Sequence, residues 1–142
     1  MNHYTFEELK EGLTESFEVT VSAEMMEKFL AITGDTNPMH IDAAYARSHS
    51  GYNDRIVYGM LTASFLSTLG GVYLPGEHCL IHSVETMFPA PVFVGDTLTV
   101  SGTVKSVDER FRQAELAVRI VKSDGSKVLR GKMKVGVLGD GK

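Results

Sequence analysis

The sequence predicts an α+β fold, an antiparallel five-stranded sheet wrapped around a long central helix. Three observations carry that expectation. A stretch with helical spacing and no charged residue lies between Arg55 and Glu77. Segments of strict two-residue alternation follow it. The turns joining those segments are short, which demands antiparallel pairing.

Taken in order, Phe17, Val19 and Val21 alternate with Glu18 and Thr20, marking a first strand with one solvated face. Ser22 is placed to N-cap a helix running to about Ile32, with Glu24 in its first turn and Met26, Phe29 and Leu30 facing inward. Asp42 is placed to cap a short helix through Ala43, Ala44, Tyr45 and Ala46. In the uncharged stretch, Val57, Met60, Leu61, Ser64, Phe65, Thr68, Leu69 and Val72 form one stripe, and Ala63 and Leu66 lie on another face. A helix that is apolar or small on every side is expected to be buried on every side. Its glycines and hydroxyls make it too polar for a membrane span, and no basic flank follows it.

Cys79 to Phe88 reads as a further, more buried strand, ended by Pro89 and Pro91. Leu98, Val100 and Val104 then alternate with polar residues from Thr97 to Lys105, and Ala114, Leu116, Val118 and Ile120 repeat the pattern. Asp124-Gly125 signals a hairpin, because glycine supplies the positive φ of a tight turn. Met133, Val135 and Val137 alternate in the strand that follows, and the tail from Gly139 to Lys142 reads as frayed. An antiparallel sheet curled around one glycine-bearing helix is a fold of the hot-dog type.

With 142 residues and no linker or repeat, residues 1–142 form one expected domain. The net charge of −4, spread without runs of either sign, predicts no nucleic-acid partner. One cysteine, Cys79, rules out an intrachain disulfide and points to a reducing cytoplasmic compartment. The acidic start, with Glu7, Glu8, Glu11, Glu15 and Glu18, is unlike a signal peptide. No metal is expected: His78 and His82 would stand about 13 Å apart along a strand. Arg47, Arg55, Arg110 and Arg112 read as solvated surface cations.

The segment that can carry chemistry is GDTNPMHID, Gly34 to Asp42, which joins two helices and holds Asp35 and His40 five residues apart. Pro38 fixes φ and pushes Asn37 toward an extended conformation, so the segment reads as a shaped loop. The bland alternative is a turn, with Asp35 in an Asx-turn and Asp42 capping the next helix.

This loop, followed by RIVYGMLTASFLS (Arg55 to Ser67) and FPAPVFVGDTLTV (Phe88 to Val100), resembles the MaoC-like dehydratase family and its single-domain (R)-specific enoyl-CoA hydratases. The resemblance covers nearly the whole chain, in order and spacing. It implies a hot-dog homodimer, or a multiple of one, with the active site at the subunit interface. It implies no metal or organic cofactor, the CoA thioester itself being the substrate. The reaction implied is addition of water to a trans-2-enoyl-CoA, giving an (R)-3-hydroxyacyl-CoA, or the reverse dehydration.

By position, the family's catalytic Asp falls on Asp35 and its His on His40. Such chemistry needs a gripped water, a base for its proton and donors preset at the developing enolate oxygen. The family's oxyanion glycine falls on Gly59, whose N–H stands at a helix start. Thr62 matches a family hydroxyl near the site, although helix hydroxyls commonly bond their own backbone instead. The chain departs from the family pattern at Tyr58, where relatives commonly carry His. Other hot-dog roles stay open: a dehydratase for acyl carrier protein substrates, a thioesterase with a differently placed acid, or a non-catalytic acyl-thioester binding module.

Overall fold

Period-two alternation builds the sheet in the computed structural model, which describes residues 1–139. The strands are β1 (Thr14–Thr20), β2 (Cys79–Met87), β3 (Thr97–Asp108), β4 (Gln113–Lys122) and β5 (Lys127–Val137). The helices are α1 (Ala23–Thr33), α2 (Pro38–Ile41), α3 (Ala43–Ser50) and α4 (Gly59–Thr68). All five strands join one antiparallel sheet in the order β1-β3-β4-β5-β2. Asp140 to Lys142, and the fraying expected of them, lie outside the described residues.

The register puts apolar residues opposite one another, as in Phe17↔Val100, Val100↔Ile120 and Leu116↔Met133. Leu98, Val100, Val104, Leu116, Ile120 and Met133 are fully buried, in one cluster with Leu61, Leu66 and Leu69 from α4 and the turn after it. Each such side chain contributes about 1.5–3 kcal/mol when removed from water, so the contact between sheet and helix dominates stability. Glycine lets the two lie close. A methyl at Gly102 on β3 would stand 3.0 Å from Leu69 Cδ2, and one at Gly70 would stand 3.1 Å from Cys79 Sγ. The helix does not stop at Thr68 but widens into a π turn over Leu69–Tyr73.

Three expectations need correction. The central helix is not buried all round: Leu61, Thr62 and Leu66 are covered, but Gly59, Met60, Ser64 and Ser67 face outward, with Met60 67% exposed. The strand from Cys79 is not the more buried one. It is one of the two edges of the sheet, paired only with β5, and leaves Leu80, Ile81, Val84 and Met87 exposed. An apolar run marks a strand that needs cover, without saying whether the same chain supplies it. Finally, the short helix capped by Asp42 runs on to Ser50, ended by Gly51 in the left-handed conformation at φ 79°. Among the described residues no helix is long and apolar enough to cross a membrane.

Candidate active site

Local hydrogen bonds shape the segment that carries Asp35 and His40. Gly34 ends α1 at φ 69°, a conformation that favours glycine, and donates its N–H to the Leu30 carbonyl at 2.8 Å. The Asp35 N–H then bonds Thr33 Oγ1 at 3.2 Å. Asp35 Oδ1 accepts the Asn37 N–H at 3.1 Å, which is the Asx-turn of the bland alternative. That turn uses one carboxylate oxygen; among the described residues the other has no partner.

Asn37 Oδ1 accepts the Met39 N–H at 3.0 Å and caps α2, with Pro38 in its first turn. The expected loop thus contains a one-turn helix, and His40 stands on it. Asp42 accepts the Tyr45 N–H at 3.0 Å and starts α3 as expected.

Ile56 clamps this turn from across the chain. Its N–H donates to the Met39 carbonyl at 3.0 Å, and its own carbonyl meets His40 Nδ1 at 2.7 Å. A carbonyl only accepts, so Nδ1 carries the hydrogen and Nε2 of the neutral ring is left to take a proton. Two residues on, the Tyr58 hydroxyl donates to the Asp35 carbonyl at 2.9 Å. The Tyr58 ring lies 4.3 Å from the His40 ring and 4.9 Å from that of Phe29. Burial, then the Asp35 charge, push the Tyr58 phenol above its ordinary pKa.

Tyr58 is also the N-cap of α4, and its carbonyl accepts from Leu61 and Thr62. The N–H groups of Gly59 and Met60 precede those first intrahelical bonds and stay available to a ligand, at the positive end of the helix dipole. Thr62, one turn on, is 1% exposed, and its hydroxyl finds no hydrogen-bond partner among the described residues. The expected bond to its own backbone is therefore not made.

Asp35, His40, Tyr58 and Gly59 line one open cleft of about 410 Å³, with Phe29, Thr33, Met60 and Phe88. A second, of about 320 Å³, shares His40, Gly59 and Phe88 with it and is lined by Thr62, Val57, Val92 and Val128 among others. All four residues picked from the sequence thus border two adjoining clefts. In the sequence, Phe29 is an inward-facing residue of α1, Phe88 a strand end and Tyr58 a departure from the family pattern, and none of the three is marked as cleft lining. Tyr58 sits two residues from the clamp and immediately before the glycine, the one signal that could have marked it.

The family model described as MaoC like domain matches residues 5–125. The chain is 39% identical to an (R)-specific enoyl-CoA hydratase of Rhodospirillum rubrum over 102 residues, covering 72% of this chain and 69% of the relative. It is 36% identical to a 3-hydroxybutyryl-CoA dehydratase of Methylorubrum extorquens over 112 residues, covering 79% of this chain and 71% of the relative. Among solved structures, the (R)-hydratase from A. caviae involved in PHA biosynthesis superposes with a TM-score of 0.87 at 32% identity, over 92% of this chain and 98% of that one.

Proposed function

The chain belongs to the MaoC-like domain family, and on that premise we propose that it hydrates trans-2-enoyl-CoA to (R)-3-hydroxyacyl-CoA, or runs the reverse dehydration. The observation that carries the reading is the meeting of Asp35, His40 and the Gly59 end of α4 at one cleft. Asp35 takes a proton from a water that His40 orients through Nε2. The water oxygen bonds C3, the π pair moves through C2 onto the thioester oxygen, and as that pair returns C2 takes up the proton removed from the water, with His40 sharing in the transfers and Asp35 left ionised again. The enolate oxygen is held by the Gly59 N–H, preset where the charge develops. Thr62 lies within the adjoining cleft, where its hydroxyl can join the same network. No step calls for a cofactor.

The β2 edge of the sheet supports a homodimer. Leu80, Ile81, Val84 and Met87 are exposed along β2, and a long apolar edge normally pairs or is shielded. A second copy of the chain, adding its own edge, covers it and adds a wall to the cleft through Phe88. Sedimentation equilibrium is expected to show a dimer or a multiple of it, and a folded, active monomer at assay concentration would refute this. A cytoplasmic location fits a CoA-dependent reaction and a free thiol.

The test of the reaction is crotonyl-CoA: enoyl absorbance is expected to fall and the product to be the R enantiomer. Release of free CoA would instead identify a thioesterase, and inertness across chain lengths and carriers a binding module.

A further inference from the structure

One side chain touches both members of the candidate pair. The Tyr58 hydroxyl bonds the backbone carbonyl of Asp35, 23 residues away, while its ring lies against His40. Tyr58 is 2% exposed and its ring also meets that of Phe29, tilted by 45° at 4.9 Å, so the ring has little room to move. Asp35, in contrast, is exposed and sits past the end of α1. Its remaining ties are the local bonds to Thr33 and Asn37, which travel with the segment and do not fix it to α4. The bond from Tyr58 crosses from one to the other.

We propose that Tyr58 is a positioning residue, which fixes the distance between the proton-accepting carboxylate of Asp35, the imidazole of His40 and the first N–H groups of α4. The inference rests on the proposed hydration at this cleft. Tyr58 itself need not touch substrate, because its hydroxyl is already committed as a donor. It remains one across neutral pH, since burial and the Asp35 charge both oppose loss of its proton. Its ring also limits how far the imidazole can tilt about the Nδ1 bond to Ile56. A shared anchor matters because a base and an oxyanion donor act on one substrate only when held at a fixed separation.

Tyr58→Phe removes the hydroxyl and keeps the ring. A misplacement of about 1 Å costs about 10²-fold, so loss of one of several ties is expected to lower kcat by about tenfold. KM should stay within about twofold, because the residue does not bind substrate, and Tm should barely move. Tyr58→Leu, which also removes the ring from His40, should lose more in kcat and shift the pH profile of kcat/KM, where the hydroxyl deletion alone leaves the imidazole limb unchanged.

Hydrogen–deuterium exchange gives an independent readout. Peptides covering residues 33–41 should exchange faster in Tyr58→Phe, while those of β3 and β4 match wild type. Wild-type kcat together with unchanged exchange at 33–41 would overturn the proposal. So would a fall in Tm with full activity per folded molecule, the mark of a merely structural residue. Exchange needs no turnover: a wild-type chain inert toward crotonyl-CoA would overturn the proposed function, while exchange still decides the anchor.

Discussion

Replacing Asp35 by Asn removes a base and little else. The side chain is exposed, and its structural work is one hydrogen bond, accepted by Oδ1 from the Asn37 N–H at 3.1 Å. An amide oxygen still accepts that bond, more weakly than a carboxylate, and the site is exposed, so stability should change by no more than about 0.5 kcal/mol. At about 2.1 cal/mol/K of unfolding entropy per residue, 142 residues give about 0.3 kcal/mol/K, so Tm should move by less than about 2 °C. Turnover should respond differently. Loss of the base is expected to lower kcat by at least about 10²-fold, or about 2.7 kcal/mol of barrier.

His40→Asn is the matched change at the partner. It sets an amide N–H near where Nδ1 now meets the Ile56 carbonyl, while removing Nε2. It should cost a similar factor, and the double variant should lose far less than the product of the two, because both groups hold one water. The assay is kcat on crotonyl-CoA beside a thermal melt for each variant. Near-wild-type hydration by Asp35→Asn, in protein checked by mass for deamidation, would end the assignment of Asp35 as base. A large fall in Tm with turnover kept would mean that the Asx-turn is the whole of its role.

Three further outcomes are expected. Thr62→Val deletes the hydroxyl proposed to join the cleft network, so it should lower kcat/KM; unchanged kinetics would refute this. Gly59→Ala adds a methyl 3.6 Å from the Phe88 ring, an ordinary contact, so the fold should survive and turnover should fall by crowding of the thioester; unchanged kinetics would place the substrate elsewhere. Burial pushes the Cys79 thiol from 9.0 up to about 11. At pH 8 iodoacetamide should therefore label the folded chain about a hundredfold more slowly than the unfolded one, and equal rates would refute it. Between pH 9.0 and about 11 the folded state holds the proton that the unfolded state has lost, so this group's contribution to stability falls as pH rises.

The sheet was legible because alternation is a local signal. Leu98, Val100, Leu116 and Ile120 needed only their neighbours in sequence to be assigned to the core, and all are buried. What failed was cover. Met60 and Val84 are as apolar as the interior, and nothing local distinguishes a face covered by the same chain from one left open at an edge. The candidate site divides in the same way. Residue type marked Asp35 and His40 as two ionisable groups in one shaped loop, the family resemblance supplied their expected roles, and the Asx-turn expected as the alternative is compatible with both lining a cleft. The grip on them was not legible, since Ile56 lies 16 residues from His40, and Tyr58 lies 23 from Asp35. Such contacts arise only once the segment after α1 has met the segment that leads into α4.

The cleft beside Asp35 takes every one of its lining residues from α1, the segment after it, the start of α4 and Phe88, and none from β3, β4 or β5. The walls of the cleft proposed to meet substrate are therefore largely separate from the sheet, with the core residue Tyr58 and, in the adjoining cleft, Val128 of β5 shared between the two. A protein of modest stability can drift only while it stays above the threshold for folding. Here Thr33, Met60 and Phe88 can vary without removing a side chain from the interior of the sheet. That separation favours rapid divergence of substrate range on a constant frame. A laboratory library confined to these three positions should yield mostly folded variants, whereas one of equal size drawn from β3 and β4 should not.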